Sequence, residues 1–290
     1  MQRSPAPEVA ALLSRAAGAG SAPLSDQLSE DLRHGAGVTI PARGAHGLVG
    51  VAQVSPRAGA WTMQLVIDPD HRRERAIGEN LVALAVATVA AKGGGRVDWW
   101  VFDASAHDDE LADDAGFTVG RDLHQMRRSL PAPWSANVPT RAFRPGHDEE
   151  AWLAVNNRAF AGHPEQSAWT IADLRSRMAE PWFDPTGFRL HEQDGQLAGF
   201  CWTKLHGPAG DPHSGEIYVI GVDPAYQKRG LGRELTLAGL DSISARGVGE
   251  ALLYVDAANA AAMALYTRLG FGVARTDRAY VATVAADSSS

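Results

Sequence analysis

The sequence predicts an α/β fold made of two tandem copies of one unit. Three observations predict it. Apolar runs that read as strands alternate with helical patterns along all 290 residues. Short segments recur in the same order: LVGVAQV (48–54) and LAGFCWT (197–203), LVIDP (65–69) and IGVDP (220–224), AGF (115–117) and LGF (269–271). In both copies an Asp-Pro is followed by a basic turn and then by a helical pattern.

The first copy opens with helices over 8–17 and, capped by Ser25, through His34. Strands at 46–54 and 61–67 follow, and Asp68-Pro69 stop the second. A long Ala/Val/Leu helix runs to Ala91 and closes in Lys92-Gly93-Gly94-Gly95. A strand over 97–102, a helix over 107–115 and a strand through Met126 complete the copy. Residues 130–139, LPAPWSANVP, carry three prolines and read as a linker. The second copy has helices at 149–160 and 171–178 and strands at 188–191, 197–205 and 217–222. A helix over 234–246, a strand over 251–255, a helix over 260–269 and a strand over 273–284 end it. Residues 285–290 are expected to be disordered. The expected boundaries are 1–130, 131–140 and 141–290.

Composition narrows the function. With 45% hydrophobic residues the chain can build two cores. A net charge of −7 argues against nonspecific binding to nucleic acid or an anionic membrane, so an anionic ligand needs a local basic patch. The single Cys201 excludes an intrachain disulfide and fits a reducing cytoplasm, where the protein is expected. Neither a signal peptide nor an apolar run of membrane-spanning length is found. Metal-ligand spacings are absent, so no metal is expected.

The basic patch lies in the second copy, at Gln227, Lys228, Arg229, Gly230, Leu231, Gly232 and Arg233. A strand, a glycine turn and a helix N-terminus expose unpaired amides and the positive end of the helix dipole. The spacing is neither G-x-G-x-x-G nor G-x-x-x-x-G-K-[ST]. By itself it could be an ordinary strand-to-helix turn with a solvated basic rim.

With V-D-P before it and Asn259 and YTRLGF (266–271) after it, Q-x-x-G-x-G resembles the acyl-CoA loop of the GNAT N-acetyltransferases. The segments AFAGHPEQSAWT, WFDPTGFRL, GFCWTKLH and GEIYVIGVDPAYQKRGLG are similar to the mycothiol synthase family of tandem GNAT proteins. The resemblance implies two GNAT folds, each a mixed, mostly antiparallel sheet flanked by helices. It implies acetyl transfer from acetyl-CoA to the cysteinyl amine of desacetylmycothiol by a monomer, with the second copy catalytic and the first non-catalytic.

The resemblance also implies roles. Glu216 is the general base and Tyr266 the general acid or hydrogen-bond donor. Ile220, Gly221 and Val222 lie along the cofactor, with Gly221 suited to a bulge. The 227–233 turn and Asn259, Ala260, Ala261, Ala262, Met263 and Ala264 hold the cofactor as well. In the first copy the matching positions are Leu65, Val66, Ile67, Arg75, Ala76, Ile77 and Gly78. Glu30, Glu165, Lys204, Glu216 and Tyr254 are expected to line the acceptor cleft, with His163 a further candidate. Trp169, Trp182 and Trp202 could face sugar rings, though core packing is the plainer role.

The copies are unequal. From Asp-Pro to the last glycine of the turn, the first is one residue longer; it has Ala76 where the second has Gly230, and Glu74 among its basic residues. It has Ser105 or Ala106 for Asn259 and no tyrosine for Tyr266. Two other functions stay open at this level: acetylation of a peptide N-terminus or an aminoglycoside, and coenzyme binding without catalysis.

Overall fold

The computed structural model describes residues 7–18, 24–57, 59–161, 168–207 and 213–287. In chain order its elements are α1 (Pro7–Gly18), α2 (Asp26–His34), β1 (Val38–Gly44), β2 (Gly47–Arg57), β3 (Ala60–Ile67), α3 (Arg75–Ala91), β4 (Gly95–Val101), α4 (Ala106–Asp114) and β5 (Thr118–Ser129). The chain continues with β6 (Arg141–Ala142), α5 (Glu149–Ala159), α6 (Ile171–Met178), β7 (Phe188–Gln193), β8 (Gln196–His206), β9 (Ser214–Val222), α7 (Leu231–Ser244), β10 (Glu250–Asp256), α8 (Ala260–Arg268) and β11 (Gly272–Val284).

Two compact units result, Met1–Leu123 with Arg275–Ser290, and His124–Ala274. They differ from the consecutive ranges 1–130 and 141–290. The last strand belongs to the first unit: β11 pairs antiparallel with β4, from Arg278 opposite Val101 to Val284 opposite Gly95. Its pairing depends on contacts some 180 positions apart, which no local pattern announces.

In the first unit the strand order is β1-β2-β3-β4-β11, followed by the early half of β5; β3 and β4 are parallel, and β1–β2, β2–β3 and β4–β11 are antiparallel. α3 places Leu81, Val82, Ala85 and Val89 at helical spacing against Ala52, Val54 and Met63. Leu12, Ala16 and Leu28 from α1 and α2 cover Val51 and Val66 on the other face. Ser25 caps α2 as expected, accepting the Leu28 N–H at 3.3 Å. Both faces of β2 are covered, so its central residues are buried without alternation. Past β11, Asp287 N–H bonds to Ala90 O, so residues 285–287 are placed against α3 rather than disordered.

The second unit orders its strands β10-β9-β8-β7-β6, with β9 and β10 parallel and the rest antiparallel. The later half of β5 lies beside β10. One face packs Leu235, Leu240 and Ile243 of α7 against Cys201, Ile217 and Leu253. The other packs Trp152, Val155 and Leu174 against Phe188, Phe200 and Trp202, where Trp202 stacks on Phe188 at 4.4 Å. Trp202 is fully buried and has a core role.

The proline-rich 130–139 run is not a free linker. Leu130, Ala132, Ala136 and Val138 pack on the second core. Asp241 accepts the Ala136 N–H at 3.0 Å and Glu234 the Asn137 N–H at 2.7 Å. Proline removes donors, and two carboxylates of α7 take up two of those that remain.

Candidate active site

Strand β9 organises the second unit. Against β8 its register runs from Val222 opposite Gly199 to Val219 opposite Trp202, then resumes with Ile217 opposite Thr203. Tyr218 is the extra residue. The bulge expected at Gly221 therefore sits three residues earlier. Gly221 has another reason to be glycine: a Cβ there would lie 2.8 Å from the Phe200 ring. A bulge reverses which face successive residues address. Before it, Gly215 and Ile217 turn to α7; after it, Val219 and Gly221 turn to the Phe200 side. The matching β2–β3 pair of the first unit has continuous register and no bulge.

The parallel ladder of β9 with β10 ends at Ile217 opposite Leu253. Beyond it the strands part, which leaves backbone donors and acceptors on that side of β9 for a ligand.

Glu216 stands just before the bulge, 7% exposed. His206 Nε2 lies 2.7 Å from its Oε2. Lys204 is directly opposite Glu216 in the ladder, yet its Nζ sits over the Trp182 ring at 4.8 Å and the Tyr218 ring at 5.7 Å. These groups share one face because Lys204 and His206 are two residues apart on β8.

Asp223 and Pro224 end β9 as expected. The Asp223 side chain caps a short 3₁₀ turn, accepting the Ala225 N–H at 2.9 Å. Gln227 donates to Val222 O at 3.1 Å. Lys228 and Gly230 both take positive φ, +62° and +83°. α7 begins at Leu231, three residues before the expected start. Among the described residues, the amides of Lys228, Arg229, Gly230, Leu231 and Gly232 have no acceptor within the chain. Lys228 and Arg229 have no carboxylate partner there either, while Arg233 pairs with Glu234. Five open amides with the Lys228 ammonium and the Arg229 guanidinium, which lies 6.0 Å from the centre of the Tyr226 ring, make a nest suited to a diphosphate. Two clefts flank it. One, of about 440 Å³, is lined by Ile220, Gly221, Val222, the turn and Ala261. The other, of about 530 Å³, adds Trp134, Leu265 and Arg268. Sequence reasoning missed Trp134, whose ring lies beneath the Arg233 guanidinium at 5.9 Å.

α8 borders the nest. Asn259 caps it through the Ala262 N–H at 3.1 Å. Ala261 lines both clefts, Ala260 and Ala264 are exposed, and Ala262 and Met263 pack partly on the core. Tyr266 is buried in the core beside Phe271. Burial, with Cys201 nearby, pushes its phenol above the ordinary value. Burial likewise pushes the Cys201 thiol up to about 12, so it is unreactive. Tyr254 on β10 is bonded through its hydroxyl to buried Gln125 at 2.6 Å. Trp169 and Trp182 are partly buried against the aromatic core. Glu165 and His163 lie outside the described residues. Among the described residues no group of three or more His, Cys, Asp or Glu could hold a metal ion.

The first unit copies the frame without the chemistry. Asp68 caps its turn through the Asp70 N–H, and Arg15 bonds Asp68 as Arg158 bonds Asp223. Leu65 and Ile67 line a cleft of about 350 Å³, and Val66 faces the core. Arg75, expected at a cofactor, is tied to Glu79, Glu110 and Asp114. The amides of Glu74, Arg75 and Ile77 have acceptors, which leaves fewer than at 228–232. Ala76 is exposed, Ile77 packs on the core, and Gly78 makes room for Leu111, 2.8 Å from a Cβ placed there. In strand register Thr62, opposite Ser55, stands where the second unit has Glu216 opposite Lys204, and by repeat position buried Ala112 stands where it has Tyr266. Glu30 is exposed on α2 of this unit.

A β-sheet parted beside an amide nest, with a buried carboxylate on the same strand, defines an N-acetyltransferase of the GNAT class. Residues 130–271 match the acetyltransferase (GNAT) family model. The fold is shared with a GCN5-related N-acetyltransferase from Sphaerobacter thermophilus, TM-score 0.73 and 23% identity over 98% of this chain and 96% of that one. It is shared too with a tandem GNAT protein from the clavulanic acid biosynthesis pathway, TM-score 0.62 and 17% identity over 96% and 94%. The mycothiol acetyltransferase of Acidothermus cellulolyticus is 41% identical, covering 87% of this chain and 83% of its own. The chain belongs to the mycothiol acetyltransferase family.

Proposed function

We propose that the second unit moves the acetyl group of acetyl-CoA to the cysteinyl amine of desacetylmycothiol, the closing step of mycothiol synthesis. The observation that carries this is the pairing, on one strand, of buried Glu216 with the open nest that follows Asp223. Family membership supports the acceptor.

Bound acetyl-CoA supplies an activated thioester. The amides of 228–232 with Lys228 and Arg229 offset its diphosphate charge. The parted edge of β9 at Tyr218–Val222 pairs with its extended arm, and a β9 amide donates to the acetyl oxygen, a contribution of about 3 kcal/mol when well aimed. Glu216 takes a proton from the acceptor ammonium, whose ordinary pKa of about 8 leaves only modest work for the base. The amine nitrogen then bonds to the acetyl carbon, the C–S bond breaks, and the second proton shed by that nitrogen passes to the departing thiolate, giving the amide and the free thiol of CoA. Tyr266 stays a phenol, because burial disfavours its anion, and donates a hydrogen bond where charge gathers on sulfur. The proton on Glu216 returns to solvent. Lys204 and Tyr254 line the acceptor side.

The first unit does not catalyse in this reading, since Thr62 and Ala112 replace the two reactive groups. A monomer in the cytoplasm completes the proposal; the buried, unpaired Cys201 asks for no oxidising compartment.

Mass spectrometry tests this directly. Protein with acetyl-CoA and desacetylmycothiol should yield the N-acetylated thiol, and Glu216→Gln should lose about 10²- to 10⁴-fold in kcat while still binding acetyl-CoA. Equal turnover of unrelated amines would overturn the acceptor; full activity of Glu216→Gln would overturn the base.

A further inference from the structure

We infer that His206 is a positioning residue for Glu216: it donates its Nε2–H to Oε2 and leaves Oε1 turned to the incoming amine. This rests on the reading of Glu216 as base.

The geometry is specific. Nε2 and Oε2 are 2.7 Å apart, and His206 is the sole side-chain partner of Glu216 among the described residues. A contact of that length contains one proton. With Glu216 ionised, the proton sits on Nε2, since a carboxylate can only accept. Lys204 is the direct cross-strand neighbour of Glu216, but the rings of Trp182 and Tyr218 hold its ammonium. His206 occupies the diagonal position, within reach of a long side chain. The bulge at Tyr218 follows at once, so register, and with it the pairing, is pinned on both sides.

The polar groups of β10 on this face are already engaged. Glu250 of β10 pairs with Arg127 of β5, and the Tyr254 hydroxyl bonds Gln125. The Glu216 side chain is 10% exposed and the imidazole 38%. A buried carboxylate with a single donor has one oxygen fixed and one free. The bond survives the reaction. When Oε1 takes the ammonium proton, Oε2 becomes the carbonyl oxygen and still accepts from Nε2. One N–H bond breaks, one O–H bond forms, and His206 keeps its proton throughout.

The test compares His206→Met with His206→Gln, alone and combined with Glu216→Gln. Glutamine carries an amide N–H at nearly the reach of imidazole Nε2; methionine fills the space without a donor. Folding and acetyl-CoA binding are checked by thermal melting and calorimetry. His206→Met should lower kcat about 10- to 100-fold with the KM for acetyl-CoA unchanged, and His206→Gln should recover most of that loss. In the Glu216→Gln background, His206→Met should have no further effect. Equal activity of the Met and Gln variants, or multiplication of the two losses, would overturn the proposal. A fully active Glu216→Gln would instead overturn the base on which it stands.

Discussion

The Arg158 guanidinium lies 2.6 Å from Oδ2 of Asp223, tying α5 to the turn that ends β9; Arg15 and Asp68 repeat the bond at 2.8 Å. The first arginine braces a turn with five open amides and the second a turn with fewer. Arg158→Met should therefore raise the KM for acetyl-CoA about 3- to 10-fold, equivalent to roughly 1 kcal/mol. Arg15→Met should lower the melting temperature and leave turnover intact. Steady-state kinetics beside melting curves separate the two.

Gly230 takes φ +83° with nothing within 4 Å of a Cβ placed there, so its cost of substitution is conformational rather than steric. Gly230→Ala should destabilise by about 1 kcal/mol and weaken acetyl-CoA binding as the amides turn away. Calorimetric affinity unchanged by the substitution would remove the nest from the cofactor site.

Tyr266 should act as a donor over the whole working range. Burial raises its phenol above the ordinary value of about 10, so the protonated form persists there. The wild-type pH–rate profile should show no loss near pH 10 that Tyr266→Phe abolishes, and the Phe variant should be slower by about 10- to 100-fold.

Lys204 is held over two rings rather than on a carboxylate, which leaves its charge available to a polar acceptor. Lys204→Met should raise the acceptor KM about 10-fold while the acetyl-CoA KM stays put, consistent with one lost charge-assisted hydrogen bond. A rise in both constants would mean the fold, not the cleft, had been disturbed.

Asp148 is clamped by Arg141 at 2.6 Å and Arg144 at 3.3 Å. Burial alone would raise its carboxyl, but the two arginines and the Arg144 amide hold it down to about 2. The folded value lies below the unfolded one. Stability from this group is thus complete above about pH 4 and is lost as pH falls toward 2. Acid unfolding curves of Asp148→Asn should be flatter across that interval, and the variant should be less stable by about 1–3 kcal/mol at pH 7.

Much of the site was readable because its causes are local. A helix cap acts within a few residues, so Ser25 announced itself. Positive φ at Gly230 and the stop at Asp223-Pro224 are also properties of short peptides. The copies could be told apart for the same reason, Ala76 and Glu74 standing in the weaker turn.

What escaped had non-local or positional causes. β1 carries Pro41, tolerable because the strand lies at the edge of its sheet, and a proline inside an apolar run argues against a strand when read alone. β6 is two residues long and exists through its pairing with β7. Gly221 looked like a bulge residue, whereas the Phe200 ring explains it.

The order of residues alone carried the basic glycine turn, the recurring segments and the cap of α2, since backbone preference and charge act over a few positions. Three things waited on the folded chain: β11 pairing with β4 in the first unit, the bulge moving to Tyr218, and His206 meeting Glu216. Each is a matter of strand register, where a shift of one residue exchanges the faces, and register is set by the packing of both faces together.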